Sequence, residues 1–144
     1  MGHNGGLEGG GGEEPSNKVA RLSLDNTVSG TILRIRLEHF MCHEELDWLP
    51  NKNINFVTGD NGSGKSSILQ GLVIGLLADS RHTKRYSKLQ DFIQKDYQRA
   101  LVQVTLRNEG EDAYMPDVYG KSITLQRTIN KNGSNQVIIL NEKM

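Results

Sequence analysis

Between Gly59 and Ser66 the chain reads Gly-Asp-Asn-Gly-Ser-Gly-Lys-Ser, which fits the spacing G-x-x-x-x-G-K-[ST] of a phosphate-binding P-loop. Wrapping a polyphosphate takes main-chain N–H groups at close range. Gly59, Gly62 and Gly64 remove the Cβ atoms that would block the approach and permit left-handed backbone angles. Lys65 is the cation for the β- and γ-phosphates, and Ser66 the hydroxyl for the Mg²⁺ that bridges them. The candidate contacts are therefore Gly59, Asp60, Asn61, Gly62, Ser63, Gly64, Lys65, Ser66 and the following Ser67, with ATP and Mg²⁺ as ligands and Ser66 as metal contact. A glycine-rich turn ahead of an ordinary helix is the bland alternative. The four fixed positions coincide by chance on the order of once in a few hundred chains of this length.

The loop is useful only if a strand delivers it and a helix follows it. Asn53 to Thr58 supplies an apolar run for the strand, and Lys65 to Leu77 an apolar helix whose N-terminal dipole end would face the phosphates. Gly71 and Gly75, four residues apart, predict a helix lying close on a sheet, at about 1 kcal/mol of helix propensity each. The apolar run from Ile68 to Ala78 is far short of the ~20 residues of a membrane-spanning helix.

Around this unit the pattern is rich in strands. Leu33, Ile35 and Leu37 alternate with Arg34, Arg36 and Glu38; Leu46 and Trp48 mark a second strand, closed by a turn at Pro50 to Asn53. Val102, Val104 and Leu106 alternate with polar residues, as do Ile123, Leu125, Arg127 and Ile129 beyond a loop from Asn108 to Gly120. Asn130 to Asn135, with its Asn-Gly pair, predicts a hairpin loop leading into a strand from Val137 to Leu140. Leu89, Phe92, Ile93 and Tyr97 stand at helical spacing.

Composition sets the remaining bounds. Of the 144 residues 35% are hydrophobic and 24% charged, as in a globular domain, and the formal net charge of zero neither demands nor excludes nucleic acid. One cysteine, Cys42, excludes an internal disulfide framework and suits a reducing compartment. No signal peptide or lipidation pattern is visible. Residues 1–29 are glycine-dense and polar, which predicts a disordered tail; residues 30–144 form the P-loop domain. His39, His43 and His82 lack the spacing of zinc ligands. Arg81, Lys84, Arg85 and Lys88 form a basic stretch that reads either as a solvated loop or as a contact for DNA phosphates.

A resemblance rests on particular residues: Gly30-Thr31-Ile32, Leu37-Glu38-His39-Phe40-Met41-Cys42-His43, the run Ile54 to Leu69, and Leu106-Arg107-Asn108-Glu109-Gly110-Glu111-Asp112-Ala113-Tyr114. Together they resemble the N-terminal part of the ATPase head of the SMC (structural maintenance of chromosomes) family, of the subunit-six kind that partners subunit five. The resemblance implies an α/β fold: the N-terminal lobe of an ABC-type P-loop head, a strand–loop–helix unit beside an antiparallel β-rich lobe. It implies that Cys42 and His43 approach the nucleotide from the end of the first strand and that Arg85 faces it near a DNA-binding surface. It further implies partners: the C-terminal half of the same head, a second head of the subunit-five type, and DNA, in the nucleus on chromosomes.

No second-strand carboxylate for Mg²⁺, no Leu-Ser-Gly-Gly signature and no glutamine loop can be placed, so the chain is not expected to hydrolyse ATP alone. The expectation is half of a head, with unpaired sheet edges and marginal stability on its own. A noncatalytic nucleotide-binding or protein-interaction module is the alternative. A small-molecule P-loop kinase is a third, for which lid and acceptor residues are lacking.

Overall fold

The computed structural model describes residues 28–83 and 86–143, so the expected tail lies almost wholly outside it and Lys84 and Arg85 lie outside it too. Five strands form one antiparallel sheet: β1 (Ile32–Phe40), β2 (His43–Trp48), β3 (Arg99–Arg107), β4 (Ser122–Asn130) and β5 (Asn135–Leu140), in the order β2-β1-β3-β4-β5. Each strand expected from alternation is present; the one expected from the apolar run ahead of the loop is not. Ile35 and Leu37 of β1, Ala100, Val102 and Val104 of β3 and Ile129 of β4 point to one face, where they are buried with Ile74, Phe40, Phe92 and Ile93. The other face is polar. Gln103 donates to Gln126 at 2.7 Å, Thr105 and Thr124 hydroxyls pair at 2.8 Å, and Arg34 binds Asp47 through Nε at 2.7 Å.

The hairpin between β4 and β5 closes as its residues predict. Gly133 takes φ +89°, its N–H donates to Asn130 O at 3.0 Å, and Asn130 N–H donates to Ser134 O at 2.9 Å. This is a tight turn followed by a left-handed glycine.

Helix α1 (Lys65–Gly75) lies across the apolar face, against β1, β3 and β4. The two glycines do what their spacing predicts: a Cβ on Gly71 would meet Leu37 Cδ2 at 2.6 Å, and one on Gly75 would meet Val104 Cγ2 at 2.5 Å. The helix stops two residues before the expected Leu77. Leu77 turns to φ +69°, its N–H donates to Ile74 O at 3.1 Å, and Ala78 N–H donates to Val73 O at 3.2 Å. That pattern of two crossed hydrogen bonds ends helices at a left-handed residue, normally glycine. Arg127, on the apolar face of β4, completes the end: its Nη1 donates to Ile74 O at 3.2 Å and Ala78 O at 3.0 Å.

Two expectations are corrected. Residues 54–58 form no strand, and Ile54, Phe56 and Val57 are 69%, 87% and 42% exposed. Apolar composition marks a segment suited to a ladder, but a ladder needs a neighbour, and the described strands pair only among themselves. The helical spacing over Leu89 to Tyr97 gives only a 3-10 turn, Leu89–Phe92, after which Ile93 bridges to Phe40 as a strand residue would. The apolar side chains do reach the core; the period alone misreads the backbone that carries them there.

The loop after β3 is organised by Asn108, which is 2% exposed. Its Nδ2 donates to Tyr114 O (2.9 Å) and Gly120 O (2.8 Å), and its Oδ1 accepts from Tyr114 N–H (2.7 Å). One amide thus closes a loop containing the short helix α2 (Pro116–Tyr119). Asn108→Ala strands these groups and is expected to lower stability by about 2 kcal/mol, read as a shift in denaturation midpoint without a change in slope.

Candidate phosphate-binding site

The loop and its surroundings border a half-open cavity of about 420 Å³. Its floor is Asn61, Gly62, Gly64, Lys65, Ser66 and Ser67; Met41 and Cys42 form one wall. Of the nine loop residues expected from sequence, Gly59, Asp60 and Ser63 do not line it.

Three glycines carry the loop's shape, with φ +155° at Gly59, +85° at Gly62 and +99° at Gly64. A Cβ at Gly59 would lie 2.5 Å from Ser63 Oγ, and one at Gly64 would lie 2.7 Å from the His43 ring and 2.8 Å from Cys42 Sγ. Gly64 is also the left-handed cap of α1, with no side chain covering the helix end; Ser67 and Ile68 N–H turn back to its carbonyl. The open helix end leaves first-turn N–H groups for an anion. Lys65 Nζ donates to Gly59 O, so its ammonium lies across the mouth of the loop, and Ser66 is exposed.

Cys42, in the turn after β1, and His43, the first residue of β2, come to the loop; Cys42 lines the cavity and His43 does not. Cys42 Sγ lies 3.4 Å from Ser67 Oγ, and His43 Nε2 lies 3.3 Å from Gly64 O; a carbonyl only accepts, so Nε2 carries the hydrogen. The turn is itself fixed. Met41 sits at φ +55° and His39 at φ +50°, held by Met41 N–H to Phe92 O at 2.7 Å and Gln94 N–H to His39 O at 2.8 Å. Backbone angles of this kind persist where the surroundings over-determine them.

The cavity is also lined by Tyr86, Asp91, Ile93, Gln94 and Lys95, none of which sequence reasoning named as a site residue, although the resemblance put the run that holds the first three near the nucleotide. A signal in the residues themselves is adjacency to the apolar pair Phe92-Ile93, whose packing in the core carries the polar residues around it to the cavity. Asp91 and Lys95 put a carboxylate and a second ammonium at the cavity edge. Among the described residues no group of three or more His, Cys, Asp or Glu could hold a metal by itself. Ser66 supplies a hydroxyl oxygen, which suits Mg²⁺ shared with phosphate oxygens and waters.

The basic stretch is less free than its spelling implies. Arg81 binds both oxygens of Asp79, Nε to Oδ1 at 3.0 Å and Nη2 to Oδ2 at 3.1 Å, an acid just outside the run. Lys88 is exposed. Hydrogen bonds from the Arg81 side chain and backbone pull the Asp79 carboxyl from 3.8 down to about 2. A folded value below the unfolded one means that the pair supports the fold at neutral pH and that this support fades as pH falls from 3.8 toward 2. A carboxyl NMR titration of Asp79 is expected to show its low midpoint, and Arg81→Ala to return it toward 3.8.

The model of the AAA domain family matches residues 34–143. The chain is 46% identical over 112 residues to structural maintenance of chromosomes protein 6A of Arabidopsis thaliana, covering 78% of this chain and 11% of that protein. It is 43% identical over 124 residues to structural maintenance of chromosomes protein 6 of Homo sapiens, covering 85% and 11%. The chain thus spans about a tenth of the length of these relatives. Among solved structures, it shares the fold of a chain from the structural biochemistry of ATP-driven dimerisation and DNA-stimulated activation of SMC ATPases (TM-score 0.66, 21% identity, 76% of this chain and 69% of that one). It also shares that of the Smc head domain of Pyrococcus yayanosii (TM-score 0.62, 19% identity, 75% and 22%). The chain belongs to the AAA family of ATPase domains, as the N-terminal P-loop part of an SMC head of the subunit-six kind.

Proposed function

We propose that this chain is the ATP-binding half-site of an SMC ATPase that acts in chromosome maintenance and DNA repair. The observation that carries this is the Gly59–Ser66 loop on the open N-terminus of α1, facing a cavity with Lys65 and Ser66 at its floor. In this reading Lys65 leaves Gly59 O for the β- and γ-phosphates, glycine N–H groups hold the β-phosphate, and Ser66 gives its hydroxyl to Mg²⁺. Cys42 meets the nucleotide from the cavity wall, and His43 holds the Gly64 carbonyl beside it.

Hydrolysis needs a further carboxylate and a water-orienting group, which we assign to the C-terminal half of the head. The exposed apolar run Ile54, Phe56 and Val57 is where strands of that half would pair. ATP then closes this head on a second, subunit-five type head, with DNA held near Lys88 and Arg85, in the nucleus on chromosomes. A structural relative of the same fold, connected with ATP-driven dimerisation and DNA-stimulated activation of SMC ATPases, supports the pairing of heads on ATP in this reading.

The test is displacement of a fluorescent ATP analogue from the chain in Mg²⁺. ATP and ADP are expected to compete and AMP is not, because this reading assigns the loop and Lys65 to the β- and γ-phosphates, which AMP lacks; equal competition by AMP would contradict this reading. The noncatalytic interaction module predicts no displacement by any of the three.

A further inference from the structure

Arg127 is a charged side chain in an apolar place. It faces Val102 across the β3–β4 ladder, two residues before the fully buried Ile129, and is only 8% exposed. Burial is the largest influence on its guanidinium and pulls its pKa below the ordinary value, with the Asp79 charge acting the other way. Its hydrogen bonds go to backbone carbonyls and not to Asp79, whose two oxygens accept from Arg81. A methionine would fill the same space without the cost of desolvating a charge. What the arginine adds is two directed hydrogen bonds, to Ile74 O and Ala78 O.

These carbonyls lie at the far end of the helix that begins at the phosphate-binding loop. The helix is eleven residues long, about 16 Å from end to end. Gly71 against Leu37 and Gly75 against Val104 fix how near α1 lies to the sheet. Apolar contacts of that kind resist approach more than they resist sliding or rotation about the axis. The hydrogen bonds of Arg127 are directional and resist both.

We propose that Arg127 is a positioning residue for the phosphate-binding loop: by gripping the carbonyl end of α1 it fixes the axial place at which the helix presents Lys65 and Ser66. This rests on the ATP-binding reading of the loop. A displacement near 1 Å at a site that grips phosphate is enough to cost up to about a hundredfold in function.

The test compares the full chain with Arg127→Met and Arg127→Lys, by backbone hydrogen exchange without nucleotide and by Mg-ATP affinity. In Arg127→Met, exchange from Ile68 to Gly75 is expected to quicken about tenfold more than in β3, and the affinity to fall about tenfold. Arg127→Lys, which keeps the charge and one donor direction, is expected to recover part of both. If exchange quickens equally in α1 and β3, or if Arg127→Met binds Mg-ATP as wild type does, Arg127 does not position the loop. Exchange needs no ligand, so a wild-type chain that binds no Mg-ATP instead overturns the ATP-binding reading. Should the methionine chain fail to fold, Arg127→Lys carries the comparison, expected at about threefold in each measurement, and no change in either overturns the proposal.

Discussion

Gly64→Val is expected to cost on the order of 3 kcal/mol of stability and to abolish measurable Mg-ATP binding. Two costs add. At φ +99° a β-branched residue is held in a backbone region it avoids, and its Cβ would lie 2.7 Å from the His43 ring and 2.8 Å from Cys42 Sγ. Both close atoms are side-chain ends that give part of the way, but the backbone under them is held, since His43 begins β2 and the preceding turn is tied to Phe92. Relief therefore comes from the loop itself, which moves Gly62 and Lys65 off the cavity floor. Denaturation midpoints and nucleotide titration read the two effects separately. A Gly64→Val chain that bound Mg-ATP normally would show that the loop's shape is not what holds phosphate.

Gly75→Val is the second large effect, and it acts on the fold rather than on the loop. Glycine inside a helix costs about 1 kcal/mol of propensity, so substitution with a good helix former would ordinarily help. Here the added Cβ would meet Val104 Cγ2 at 2.5 Å and Val102 Cγ1 at 2.9 Å. Both are β-branched, buried and fixed in the central strand β3, so α1 must lift from the sheet. The expected loss is 3 kcal/mol or more, with a fall in melting temperature of at least about 10 °C. Gly71→Ala is the internal comparison. Its obstacle is the tip of Leu37, an unbranched-at-Cβ side chain that adjusts more readily, so it is expected to cost less.

The sheet was legible because alternation is a local signal. Arg34, Arg36 and Glu38 set against Ile35 and Leu37 fix which face of β1 is wet, and the same holds for Gln103 and Thr105 against Val102 and Val104. The loop was legible because its residue types are dictated by chemistry at consecutive positions. What escaped depends on distance in sequence. Residues 54–58 have the composition of a strand, but pairing depends on a neighbour that their own spelling does not contain. Asp91, Gln94 and Lys95 reach the cavity because Phe92 and Ile93 pack under Phe40, some fifty residues earlier. The alternation in β4 placed Arg127 on the inner face; that it grips the end of α1 follows from packing alone.

The same contrast explains the helix end. A left-handed leucine at position 77 breaks a helix that its apolar run would have continued, and the gain lies in satisfying the carbonyls of Val73 and Ile74.

The most direct measurement of the central claim is calorimetric titration of Mg-ATP into the wild-type chain and into Lys65→Ala. Losing one charge-assisted phosphate contact costs about 1.5–3 kcal/mol, so binding by wild type with affinity at least about tenfold weaker in Lys65→Ala is the predicted result. Equal affinity in the two folded chains, or no binding by folded wild type, would contradict it.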